Sequence, residues 1–175
     1  MCTWYKDLPG VPGYVIILSQ EETDANLSWK QMLYSCGGVC TTYIPENQFG
    51  IEGFEPQVCI VATDELLSQL TVDEQMAVFY HEGGHVALGH GEACKDTEAS
   101  TVICHLQWEL DADAYACQFT EPAIALSALN KAIYVVSGWL AKLAPTQTRE
   151  FWHSSLLSEN RISRRIEALE ARLTQ

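Results

Sequence analysis

The chain has 175 residues, 47% of them apolar and 19% charged, and its 10 basic and 23 acidic side chains give a formal net charge of −13. One domain is the expectation at this length, with a core that closes without staples, and the composition excludes a disordered or collagen-like chain. An acidic balance of this size argues against nucleic acid or an anionic membrane surface as partner.

Residues 8–13, LPGVPG, read as a turn-rich lead-in, and 14–18 as a short buried strand. Residues 21–35 carry helical spacing, which Gly37 and Gly38 end. VCTTYI at 39–44 and QVCIVA at 57–62 read as a second and third strand, with Pro45, Gly50, Gly53 and Pro56 in the loop between them. Thr71 and Glu74 form a capping box at the head of a helix over 72–88, which Gly89 and Gly91 close. A second helix is expected over about 101–119, and Pro122 suits the first turn of a third. The last, over about 160–173, places Ile162, Ile166, Leu169 and Leu173 on one face. Strands gathered in the first third and helices after them predict an α+β fold.

The apolar stretch 123–144 has Asn130 and Lys131 at its centre and Lys142 near its end, so it reads as a buried helix and not as a membrane span. The first residues lack a cationic segment followed by an apolar run. Seven cysteines, an odd number, then point to the reducing cytoplasm. A Cys94–Cys104 bridge is the minor alternative. Half of the basic residues lie in 149–175, which reads as a helical tail of mixed surface or as a basic tail laid against an acidic body.

Inside the capped helix stands His81-Glu82-Gly83-Gly84-His85. Two histidines four apart share one helix face, and both imidazoles can reach one ion at about 2.0–2.1 Å. Glu82 can serve as base toward a metal-activated water without being a ligand. The two glycines cost the helix up to about 1 kcal/mol each, which predicts that a second helix or a substrate chain approaches its backbone. Glu109 on the following helix supplies a third ligand, and Asp113, one turn on, can accept the other ring N–H of a ligating histidine. Their apolar neighbours, Trp108, Leu110, Ala112, Ala114, Ala116 and Phe119, leave these acids in need of a cation. A metzincin would carry a histidine where Gly91 stands. His90 reads as a capping or packing residue, His105 as a supporting group or weak rival ligand, and His153 as a surface or core histidine.

The stretch from Val61 through His81-Glu82-Gly-Gly-His85 to His90 resembles the active-site strand and helix of the HtpX and CAAX-prenyl-protease family of gluzincins, whose relatives include the soluble minigluzincins. Glu109-Leu-Asp-Ala-Asp113 is similar to that family's glutamate helix. The segment from Ser158 to Leu169, with Arg165-Ile166, is similar to its closing segment. The resemblance covers roughly 57–169 and leaves 1–56 unmatched. Gly83 stands where the family has a large apolar residue, and Glu159-Asn160 replaces a frequent His-Pro.

The resemblance implies a gluzincin-like α+β domain over 1–175, with a small sheet, an active-site helix, a glutamate helix and C-terminal helices. It implies a zinc endopeptidase with His81, His85 and Glu109 as ligands, Glu82 as base and Asp113 orienting a ligand. Arg165 would stabilise the oxyanion or hold the tail. The strand 58–62 would be an exposed edge that receives a protein or peptide substrate by strand addition. Two alternatives are a regulatory protease that cleaves one dedicated partner, as repressor-cleaving proteases do, and a silent zinc scaffold that works as a binding module.

Overall fold

The computed structural model describes residues 2–90, 106–140 and 159–174. Its elements in chain order are β1 (Thr3–Leu8), β2 (Val11–Leu18), α1 (Gln20–Ala25), α2 (Leu27–Ser35), β3 (Val39–Ile44), β4 (Gln57–Thr63), α3 (Asp64–Leu67), α4 (Val72–Ala87), α5 (Leu106–Ala116), α6 (Pro122–Leu140) and α7 (Glu159–Leu173). The architecture is α+β. The strands form one mixed sheet in the order β1-β2-β4-β3, with β2 parallel to β4 and both outer strands antiparallel to their neighbours.

The period of two along each strand divides the core between the sheet's faces. Val11, Val15, Val39, Ile60 and Ala62 face one cluster, shared with Ala77 and Val78 of α4, Ala128 and Leu129 of α6 and Leu169 of α7. Tyr14, Ile16, Leu18, Cys40, Cys59 and Val61 face the other, shared with Leu33 of α2. The sheet is thus a middle layer, and α4 lies across it.

Two expectations about the strands are corrected. The lead-in at 8–13 is the turn and second strand of a hairpin, because Thr3–Leu8 pairs with Val11–Leu18 around Gly10 at φ 75°. Five of the six β1 side chains are exposed, so no buried face imposed an apolar alternation. The strand 58–62 is not an edge. β4 lies between β2 and β3, and its buried run from Cys59 to Thr63 is what a strand covered on both faces requires. The edge beside α4 is β3.

The helix expected over 21–35 is two. Asn26 ends α1 and caps α2 by accepting the N–H of Trp29. Ser19 and Glu22 form a capping box on α1. Gly38, at φ 94°, follows α2 where an added Cβ would stand 2.8 Å from Trp139 of α6 and 3.0 Å from Leu66 of α3. The capping box on α4 is present as expected: the Glu74 carboxylate accepts the Thr71 N–H at 2.7 Å, and the Thr71 hydroxyl accepts the Glu74 N–H. The same carboxylate accepts hydrogen bonds from Ser127 and Lys131, each at 2.7 Å, and so ties the head of α4 to α6.

The helix expected over 101–119 is described from Leu106 and ends at Ala116. Pro122 opens α6 as expected. No helix among the described residues is long and apolar enough to cross a membrane. On α7, Leu169 is buried and Ile162 and Ile166 are partly buried, but Leu173 is exposed. His105, His153, the Cys94–Cys104 pair and the tail's 149–158 lie outside the described residues.

Candidate metal centre

The site forms where α4 and α5 touch, and Gly84 permits the contact. A Cβ on Gly84 would stand 3.0 Å from Ala112 Cα and 3.0 Å from Tyr115 Cβ. A Cβ on Gly83 would stand 3.3 Å from Gly10 O and Val11 Cα. The two glycines therefore admit α5 on one side and the β1–β2 turn on the other. Tyr115 closes the ring by donating its hydroxyl to Gly10 O at 3.1 Å. Gly83 is small because the N-terminal hairpin sits against it.

With the helices this close, His81 and His85 on α4 face Glu109 and Asp113 on α5. The Nε2 atoms of His81 and His85 are 3.2 Å apart. The Glu109 carboxylate straddles them, with Oε2 3.4 Å from His81 Nε2 and Oε1 3.5 Å from His85 Nε2. A tetrahedral ion bound at 2.0–2.1 Å has its ligand atoms about 3.3 Å apart. The three groups already stand at that spacing. Among the described residues they form the one set of His, Cys, Asp or Glu groups converging to within 4.8 Å. Two imidazoles and a carboxylate are also the donor types zinc accepts in open sites.

Asp113 Oδ1 lies 2.8 Å from His81 Nδ1 and leaves Nε2 of that ring for the centre. Arg165 reaches in from α7. It donates from Nε to Asp113 Oδ2 and from Nη2 to Asp113 Oδ1, both at 2.8 Å, and its Nη1 is 2.8 Å from Glu109 Oε2. His85 Nδ1 is 2.8 Å from Nδ1 of His90, whose ring stacks on Trp108 at 4.8 Å between centroids and 8° between planes. Thr41 on β3 donates its hydroxyl toward Glu82, 2.8 Å from Oε2 and 3.1 Å from the backbone O.

The electrostatics follow from burial and these pairings. Burial works against the Glu109 and Asp113 carboxylates, but Arg165 and His81 outweigh it. Glu109 is held well below the usual carboxylate range, and Asp113 falls to about 2. Burial and Arg165 oppose charge on His81, yet Asp113 and Glu109 raise it to about 9. Burial and the charge on His81 push His85 down to about 3. Burial also raises Glu82, against the opposing pull of His81 and Thr41. A carboxylate raised in this way is a better proton acceptor.

All six residues singled out from the sequence, His81, Glu82, His85, Glu109, Asp113 and Arg165, line one cavity. It continues past Thr41 and Val39 to Ala125, Ala128 and Leu129 of α6. Thr41 and His90 are contacts that sequence reasoning missed. Nothing in the sequence ties Thr41 to a residue 41 positions away. His90 carried a weak signal, its chemistry at five residues from His85.

Residues 47–104 match peptidase family M48. That family is the HtpX and CAAX-protease group of zinc metallopeptidases, so the resemblance to that group is borne out by the stretch that carries His81-Glu82-Gly-Gly-His85. The matched segment includes most of the loop between β3 and β4, then β4, α3 and the whole of α4, and is about a third of the chain. No curated protein and no solved structure gives a significant match. An M48 match supports a metallopeptidase function, and a peptidase implies a protein or peptide substrate.

Proposed function

We propose that the chain is a zinc-dependent endopeptidase of gluzincin type, similar to the soluble minigluzincins and built as one domain over 1–175. The observation that carries this reading is the triangle of His81 Nε2, His85 Nε2 and the Glu109 carboxylate, with separations of 3.2, 3.4 and 3.5 Å. Bound there, zinc would polarise a carbonyl and lower the pKa of a water to about 7. His81 and His85 would hold it through Nε2 and Glu109 through its carboxylate.

Glu82 is the base. Its carboxylate takes a proton from the attacking water and delivers it to the leaving amine nitrogen. Thr41 keeps that carboxylate directed from the side of β3. Asp113 accepts the Nδ1–H of His81 and fixes its tautomer. Arg165 is committed to Asp113 and Glu109, which favours its holding the tail over stabilising an oxyanion. An extended peptide would add along β3, the edge strand whose Thr41 touches Glu82. A cytoplasmic setting suits the free thiols of Cys2, Cys59 and Cys117.

The test is Glu82→Gln. The variant is expected to fold, to keep about one zinc per chain and to lose hydrolysis of unfolded-protein and peptide substrates. Normal cleavage by Glu82→Gln overturns the base assignment. Zinc-loaded wild-type protein that cleaves nothing in a peptide library would favour the scaffold reading instead.

A further inference from the structure

His81 and His85 are not supported alike. His81 hands its Nδ1 to the Asp113 carboxylate at 2.8 Å. The Nδ1 of His85 meets the Nδ1 of His90, also at 2.8 Å. Two ring nitrogens at that distance share one proton: one carries the hydrogen and the other accepts it. A His85 that binds metal through Nε2 carries its proton on Nδ1. The acceptor must then be His90 Nδ1, and His90 must be neutral with its own proton on Nε2.

The ring of His90 is held for this task. It lies flat on the Trp108 indole at 4.8 Å and 8°. Trp108 precedes Glu109 on α5, so the helix that supplies the third donor also pins the ring that supports the second. The rings of His85 and His90 are tilted by 60°, which suits an edge-directed hydrogen bond rather than a stack.

We propose that His90 is a positioning residue for His85: its Nδ1 accepts the Nδ1–H of His85, fixes that tautomer and turns His85 Nε2 toward the metal. The proposal rests on the zinc reading above. It makes the centre asymmetric, with a charged acceptor behind one imidazole and a neutral one behind the other.

Two substitutions separate hydrogen bonding from packing. His90→Phe keeps a flat ring for Trp108 but has no acceptor. His90→Asn loses the ring but places an amide oxygen near the position of Nδ1. Zinc affinity is read by competition with a chromogenic chelator. His90→Phe is expected to bind zinc about 10–100-fold more weakly than wild type, and His90→Asn to recover most of that loss. A His90→Phe affinity equal to wild type, or a His90→Asn affinity no better than that of His90→Phe, overturns the proposal.

Long-range proton–nitrogen spectra of zinc-loaded wild-type protein need no variant. They are expected to show His85 protonated on Nδ1 and His90 on Nε2. A His90 protonated on Nδ1 overturns the proposal even if His90→Phe fails to fold. Wild-type protein that binds no zinc overturns the metal reading itself. Normal wild-type binding with an unaffected His90→Phe removes only the role of His90.

Discussion

Gly84 of α4 and Ala112 of α5 meet backbone to backbone, so close that a methyl group on Gly84 would stand 3.0 Å from Ala112 Cα. Ala112 lies between Glu109 and Asp113 in the sequence. The separation of the two helices at this point therefore sets how far both acids stand from His81.

Gly84→Ala should accordingly be harmful, although alanine is the better helix former by up to about 1 kcal/mol. Its methyl meets backbone, which gives way only by moving α5, and overpacking of this kind costs about 1–3 kcal/mol. A lower urea midpoint and weaker zinc binding are expected together. Gly138, on α6 with nothing within 4 Å of its added Cβ, is the control, and Gly138→Ala should raise the midpoint. A stabilised Gly84→Ala would mean that the helix contact does not govern the site.

The ligand set is tested by metal content. His81→Ala, His85→Ala and Glu109→Ala are each expected to lose zinc on purification. Asp113→Ala should retain it with affinity reduced about 10–100-fold. Full zinc retention by Glu109→Ala in elemental analysis would remove Glu109 from the centre and promote His105.

Thr41→Val takes the hydroxyl from Glu82 while keeping a β-branched residue on β3. A hydrogen bond to a charged group is worth about 1.5–3 kcal/mol. The expected loss is therefore about 10–100-fold in kcat with little change in KM, and Thr41→Ser should restore most of it. A rise in KM at unchanged kcat would place Thr41 in substrate binding instead.

The candidate site's main residues were legible because one helix carries three of them at spacings that geometry makes meaningful. Glu109 and Asp113 repeat that logic on a second helix. What the sequence hid was pairing between distant segments. The position of β4 inside the sheet depends on which strands flank it, and only its apolar run on both faces hinted at this. β1 has an exposed surface and is held by backbone bonds to β2, so no side-chain pattern marks it. Gly83 looked like a departure from the pattern of the family the motifs resemble because the residue it makes room for, Gly10, lies in the unmatched N-terminal part.

Glu74 gives the stability a pH signature. Burial would raise its carboxyl, but Lys131, Ser127 and the Thr71 cap outweigh this and lower it to about 2. A group depressed on folding stabilises the native state above its unfolded pKa, and that contribution fades as pH falls through the folded value. The window is therefore from about 4.5 down to about 2. Glu74→Gln should cost about 1–3 kcal/mol near neutral pH, from the lost cap and charged hydrogen bonds. The gap to wild type should narrow through the acid window in thermal melts. A gap independent of pH would show that the charge of Glu74 contributes nothing.

The tail carries the last expectation. Leu169 is 1% exposed, and truncation of a buried leucine costs about 2–5 kcal/mol. Leu169→Ala should thus be strongly destabilising, and removal of 159–175 should unfold the protein rather than release a blocked cleft. Arg165 adds a sharper test. Its guanidinium lies 2.8 Å from both Glu109 and Asp113, so it supplies positive charge to the same acids that zinc would neutralise. Breaking a buried pair costs about 3–5 kcal/mol, because the charge left behind is uncompensated. Arg165→Met should therefore melt well below wild type without metal and gain more from added zinc than wild type does. An equal zinc-induced rise in melting temperature would show that Arg165 and the metal act on separate charges. A soluble truncation of 159–175 with higher turnover would make the tail an inhibitor instead of a part of the core.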